Sequence, residues 1–252
     1  MKADQLNVLG AADLFSVLGA QSVTNTGATV LAGDLGVSPG SSLVGFPPGK
    51  VGGSTHKGDT LANTAETNAL AGYNTLHALT PTLTLSAIVG NLTLTPGVYD
   101  FSSAGLLTGN LILNFNGESN KSFVFQTGSS LITASGSVVS LLNEGTNDSV
   151  YWAVGSSAVL GTTTSFEGNI LALQSVTLDT GATIGCGNAI ALHGAVTLDS
   201  NTIGGSCATG DSTGTPTPTT SPVPEPASLG LVAIGMMGAA GVLRRKLLVS
   251  SK

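Results

Sequence analysis

The 252-residue sequence predicts an all-β protein with one long α-helix: a β-solenoid flanked by the helix. Three observations carry that reading. Short phrases recur at intervals near twenty residues, each phrase alternates apolar and small polar side chains, and one stretch alone breaks into a helical stripe. A recurring unit of about twenty residues marks a solenoid, because such a unit cannot bury its apolar face until a neighbour stacks on it.

The repeats come first. "SVTLDT" (Ser175 to Thr180) returns as "AVTLDS" (Ala195 to Ser200), and "VGNLTL" (Val89 to Leu94) returns as "TGNLIL" (Thr108 to Leu113). A longer step relates "SSAVLG" (Ser156 to Gly161) to "TGATIG" (Thr180 to Gly185). Val176 and Leu178 alternate with Thr177 and Asp179, the period of a strand with one face inward. Gly and Asn at the boundaries supply turns with positive φ. Stacked, such units make a flat wall.

The helix is predicted over about 57–79. Ala62, Ala65, Ala69, Tyr73 and Leu76 fall at helical spacing, with Asp59 as N-cap and Pro81 just past the end. The stripe packs on the solenoid wall. Before it, "LAGDLGVSPGSSLVGFPPGKVGG" is rich in Gly and Pro and reads as loop and irregular coil.

The solenoid domain is expected over 1–207. Residues 208–222, rich in Thr, Pro and Ser, form an extended linker that cannot bury apolar surface. Ala227 to Leu243 then runs 17 residues without a charge, about 25 Å as a helix, at the short end of a transmembrane span. Arg244, Arg245 and Lys246 follow and hold that end in the cytoplasm. With Pro224, Glu225 and Pro226 ahead of it, the segment 223–246 resembles a PEP-CTERM sorting signal. The resemblance implies export from a Gram-negative cell to the surface or medium, transient insertion of 227–243 in the inner membrane, and removal by an exosortase. Export calls for a signal peptide, and "MKADQLNVLGAADLF" has no clean apolar region, so the start is expected to be too late or trimmed.

Charged residues are only 9% of the chain, against roughly 25% in ordinary soluble domains. Between Lys57 and Arg244 the only Lys or Arg is Lys121, which excludes a phosphate-tracking surface and so a nucleic-acid partner. The same scarcity argues against a polysaccharide lyase, which needs clustered Asp for Ca²⁺ and a basic residue as catalyst. Asp179 and Asp199 recur at the repeat interval but read as turn residues. His56, His77 and His193 lack metal-ligand spacing. No enzyme, metal or cofactor is expected. Cys186 and Cys207 lie roughly one coil apart and form either a disulfide stapling the last coil or two buried thiols.

Together, "NVLGAADLFSVLGAQSVTNTGATVLAGDLGVSPG", the helix segment, "LTPGVYDF", "FVFQTGSSL", "VYWAVGSSAVLGTTTSFEGNILA" and "VTLDTGATI" resemble the bacterial and fungal ice-binding protein family, in that family's order, over about residues 6–207. The resemblance implies a right-handed, discontinuous β-solenoid of triangular cross-section, and adsorption to ice or an ordered water surface through a flat face. It also implies Thr-Ala/Gly-X-Thr/Asn motifs on that face. "TGAT" stands at Thr26 to Thr29 and at Thr180 to Thr183, with "TGSS" at Thr127 to Ser130. In the aligned "SSAV", Val159 replaces the last hydroxyl. That alignment sets Ser156 beside Thr180 and Val159 beside Thr183, with Thr127 and Ser129 continuing the surface. The expected contact residues are therefore Thr26, Thr29, Thr127, Ser129, Ser156, Thr180 and Thr183. Without the resemblance, each motif is equally a corner turn. A cell-surface or biofilm-matrix protein that engages exopolysaccharide is the alternative function.

Overall fold

The computed structural model describes residues 6–101 and 103–205, all within the larger of the two compact units into which the chain divides, Met1–Gly214. Cys207, the linker 208–222 and the sorting signal 223–246 with its apolar run 227–243 lie outside the described residues. No described helix is long and apolar enough to cross a membrane.

The described chain winds into three all-parallel sheets, each coil contributing one strand to each. The first wall has nine strands, in spatial order Thr55–Lys57, Asp34–Val37, Phe15–Gly19, Ala189–Ala191, Asn169–Ala172, Ser149–Val154, Ser122–Thr127, Gly97–Phe101 and Leu83–Leu85. The second runs Ser42–Val44, Ser22–Thr26, Ala195–Asp199, Val176–Leu178, Ala158–Leu160, Leu131–Thr133, Gly105–Leu107 and Ile88–Val89. The third runs Lys50–Val51, Val30–Leu31, Thr202–Ile203, Thr183–Ile184, Ser165–Phe166, Val138–Leu142, Asn110–Asn114 and Leu92–Leu94. The order of coils in space is not their order in sequence. The coil beginning at Phe15 pairs with the last coil, Val17 with Ala189 and Ser22 with Ala195, and the coil of residues 34–51 stacks outside it. The helix then carries the chain away, and the coils from Leu83 onward build back toward the first.

The inner core is mainly apolar, and polar side chains buried with it are paired, as Thr29 is with Asn25 and Thr133 with Thr164. On the first wall Tyr99, Phe125 and Trp152 occupy one register position on successive coils, and Phe125 stacks on Trp152 with ring centroids 3.9 Å apart. That wall is buried on both faces, so every position of "SFVFQT" and "SVYWAV" is buried and their centres, Phe123 to Phe125 and Val150 to Val154, run apolar without alternation. Its outward residues Leu18, Val124, Tyr151, Ala153, Leu171 and Ile190 pack under the helix in a second cluster with Ala62, Ala65, Ala69, Tyr73 and Leu76. The other two walls are covered on the inside only and alternate buried with part-exposed positions, as in Val176–Leu178.

The helix spans Thr60–His77, and the Asp59 carboxylate accepts from the Ala62 amide at 2.9 Å. It begins three residues later than its expected start at 57 because Thr55–Lys57 pairs as a strand with Leu35 to Val37. The alanine stripe is fully buried, and it buries Glu66 with it. The Glu66 Oε1 has no hydrogen-bond partner, and burial pushes the carboxyl up to about 8.

One expectation fails outright. The Gly/Pro-rich stretch 31–53 is not irregular but supplies strands to all three walls. Its prolines stand outside the strands, with cis bonds at Ser38-Pro39, Phe46-Pro47 and Pro47-Pro48, so none removes a ladder hydrogen bond.

Candidate functional site: the uncovered threonine wall

Because the helix closes the first wall, an uncovered outer face is left only on the second and third. On the second, a single outward position can be followed across eight coils: Val44, Thr24, Thr197, Thr177, Val159, Ile132, Leu106 and Ile88, each paired with the next. Neighbouring strands lie about 4.8 Å apart, so this rank runs roughly 34 Å. It contains no charge. The three threonines are consecutive and central to the phrases "SVTNT", "AVTLD" and "VTL". Two residues back along each strand, about 6.7 Å away, lies a second rank of small groups. There Ser42, Ser22 and Ala195 are register partners, and Ser175, Ser157 and Ser130 continue the rank as each accepts, through its carbonyl, the ladder bond from the adjacent coil.

The corresponding rank on the third wall is Lys50, Val30, Thr202, Thr183, Ser165, Val138 and Asn110. It carries a lysine at one end, and Glu167 lies just beyond Phe166 on the same wall. Glu167 accepts from the Cys186 amide at 2.7 Å. Burial, opposed by that hydrogen bond, pushes its carboxyl up to about 7. The second wall therefore carries the longer uncharged rank, with its acidic residues, Asp199 and Asp179, two positions further on at the corner end of their strands.

The seven residues expected from the TGAT-type motifs do not share a face. Thr29 and Thr127 are buried; the Thr29 hydroxyl donates to Asn25 Oδ1 and that of Thr127 to the Ser103 carbonyl. Ser129 and Ser156 stack on each other at the corner leading into the second wall, where the Ser156 amide donates to the Ser129 carbonyl. Thr26 ends a strand of that wall, beside Asp199. Thr180 lies at the far corner and donates to the Asp199 carboxylate, which this bond holds below the usual range. Thr183 belongs to the third wall, beside Ser165 and Thr202.

The expected alignment of Ser156–Val159 with Thr180–Thr183 is thus a slip across a corner. Val159 pairs with Thr177, and Thr183 with Ser165. The two TGAT copies are also out of phase by one residue: Thr183 shares its register line with Val30, not Thr29. A slip of one in a strand exchanges inside for outside, which is why Thr29 is buried while Thr183 is not. The outward threonines of the second wall, Thr24, Thr177 and Thr197, were not among the expected contacts, yet they share a signal, the "VT" of the recurring strand phrases.

Among the described residues no group of three or more His, Cys, Asp or Glu is placed to hold a metal ion. Cys186 is disulfide-bonded, and Asp179 and Asp199 sit at the corner that the second and third walls share.

The sequence matches the family model described as ice-binding-like over residues 17–204, and the PEP-CTERM protein-sorting motif over residues 222–246. An ice-binding protein of Nostoc sp. (strain HG1) is 45% identical over 209 residues, covering 82% of this chain and 77% of that relative. Among solved structures, an ice binding protein from an Antarctic biological consortium superposes with a TM-score of 0.76 at 42% identity, covering 81% of this chain and 93% of that one. The ice-binding protein of the Antarctic ascomycete Antarctomyces psychrotrophicus superposes with a TM-score of 0.73 at 38% identity, over 77% and 96%. Three parallel walls, one flanking helix and these matches lead to one assignment: the chain belongs to the ice-binding-like family and carries a PEP-CTERM sorting motif.

Proposed function

We propose that the protein adsorbs to ice through the second wall, with Thr24, Thr197 and Thr177 at the centre of the contact. The observation that carries this reading is the register: three threonines at one outward position on three consecutive coils, inside a charge-free rank on an uncovered sheet. A β-branched side chain has a stiff χ1, so the array repeats regularly. Each threonine methyl excludes water while its hydroxyl holds an adjacent ordered molecule, and the strand spacing sets those molecules on a two-dimensional grid. A charge in that grid would orient water around itself.

The test is crystal shaping in a nanolitre osmometer. Wild type should facet growing ice. Thr177→Tyr and Thr197→Arg should abolish faceting while leaving the melting temperature within a few degrees, since exposed substitutions cost about 0.5 kcal/mol. Thr93→Arg, an exposed change at the distal strand of the third wall, should retain faceting. Unshaped discs from the wild type at high concentration would overturn the reading and favour a surface or matrix role.

The tail match supports export from a Gram-negative cell; transient membrane insertion of 227–243 and exosortase cleavage near Pro226 are the route we propose for it. The winding is right-handed, the sense strand twist favours for parallel crossovers. The disulfide of Cys186 supports reading Cys207 as its partner, the staple of the last coil.

A further inference from the structure

The threonines fill only part of their rank. On one side the line continues as Val159, Ile132, Leu106 and Ile88, and beyond Thr24 it ends in Val44. Ile132 is 40% exposed, Val44 56% and Ile88 61%. Val and Ile share the β-branch of Thr and place a methyl where Thr places its own. At this register position, then, a branched or aliphatic side chain is constant over eight coils while the hydroxyl is not.

A protein partner is a poor fit for the aliphatic half. Four residues at about 4.8 Å per step make a strip about 14 Å long and one side chain wide, on the order of 150 Å². A stable protein interface needs about 800 Å² from each partner. The strip is, however, in register with the threonines on the same face of one sheet.

Resting on the proposed adsorption through this wall, we infer that Val159, Ile132, Leu106 and Ile88 belong to the ice contact itself, which is a continuous rank of aliphatic groups rather than a threonine patch. The hydroxyls of Thr24, Thr197 and Thr177 fix the water layer over one end. The aliphatic groups extend the same water-excluding line over the other.

The experiment compares Ile132→Lys, Ile88→Lys and Ile132→Thr with Thr177→Arg in the full exported protein, reading faceting, thermal hysteresis and melting temperature. Both lysine variants should lower hysteresis about tenfold, as Thr177→Arg does, with an unchanged melting temperature. Ile132→Thr should keep at least half of the wild-type value, because it retains the methyl. Ile88 lies on the terminal coil, so its variant keeps the test open should Ile132→Lys fold poorly. Wild-type hysteresis in both lysine variants alongside its loss in Thr177→Arg would overturn the inference and leave the threonine centre standing. A wild type that does not shape ice overturns both. A concentration-dependent dimer by light scattering that Ile132→Lys abolishes would assign the strip to a second copy of the chain instead.

Discussion

Glu66 is a carboxylic acid laid against the solenoid by the buried face of the helix, with one oxygen unpartnered and the group held up to about 8 by burial. Its ordinary value is 4.5. A raised carboxyl binds its proton more tightly in the folded state. Stability is therefore complete below about pH 4.5 and falls as pH rises toward 8, because the unfolded chain releases the proton first. At about 1.36 kcal/mol per unit of pH, the loss between pH 5 and pH 8 comes to roughly 3–4 kcal/mol. For a domain of this size each kcal/mol moves the melting temperature by about 2–4 °C, so the shift is roughly 10 °C. Glu66→Gln keeps the shape and removes the titration. Glu167 and Glu144 are also raised by burial and titrate in both proteins, so the difference between wild type and variant isolates Glu66. Chemical denaturation at pH 5, 6, 7 and 8 should find the two proteins close at pH 5 and the variant progressively more stable above it. Parallel curves across the whole range would refute the assignment of a neutral, buried Glu66.

The seam beneath the helix is narrow, since Ala62, Ala65 and Ala69 have no exposed surface. Ala69→Leu should overpack it and cost about 1–3 kcal/mol by denaturant unfolding, whereas Thr67→Leu on the exposed side should cost less than about 0.5 kcal/mol. Intact mass of the exported protein after alkylation without reduction checks both ends of the tail proposal. The expected species ends near Pro226 and carries no alkyl group, the closed loop of about twenty residues stabilising the fold by roughly 3 kcal/mol; a mass retaining Arg244 and Arg245, or two alkylated thiols, would contradict it.

The helix was legible in the sequence because its stripe is made of alanines whose spacing admits no other period. Glu66 was not, since a glutamate beside such a stripe ordinarily reaches solvent and only the shape of the seam traps it. Two of the repeats align in the structure as in the sequence: Thr177 pairs with Thr197, and Leu92, Thr93 and Leu94 pair with Leu111, Ile112 and Leu113. "SSAVLG" and "TGATIG" do not, because similar words occur at different corners of the coil and similarity alone does not say which wall a strand joins. That slip set Val159 beside Thr183, whereas in the fold it pairs with Thr177. The strands within 31–53 were hidden for a related reason. Strands of two to four residues at the outer end of a stack need little propensity of their own when a formed neighbour supplies the ladder, as the coil from Phe15 does here.

The pairing of the first coil with the last has a consequence for synthesis. Residues 15–57 emerge from the ribosome early, yet the surface against which Phe15–Gly19 and Ser22–Thr26 stack is made of residues 189–199. The hydroxyl of Thr26 meets the Leu198 carbonyl across 172 positions of sequence. Until then the amino-terminal coils have one open stacking edge, and the growing stack from Leu83 onward has another at its leading coil. Contacts so distant in sequence close slowly, and open strand edges are where nascent chains associate with one another. The ring shuts only when the last coil is inserted between the two stacks. A chain truncated before residue 189 would therefore lose the join between its halves as well as its end, and the helix would be left as the single tether across the gap.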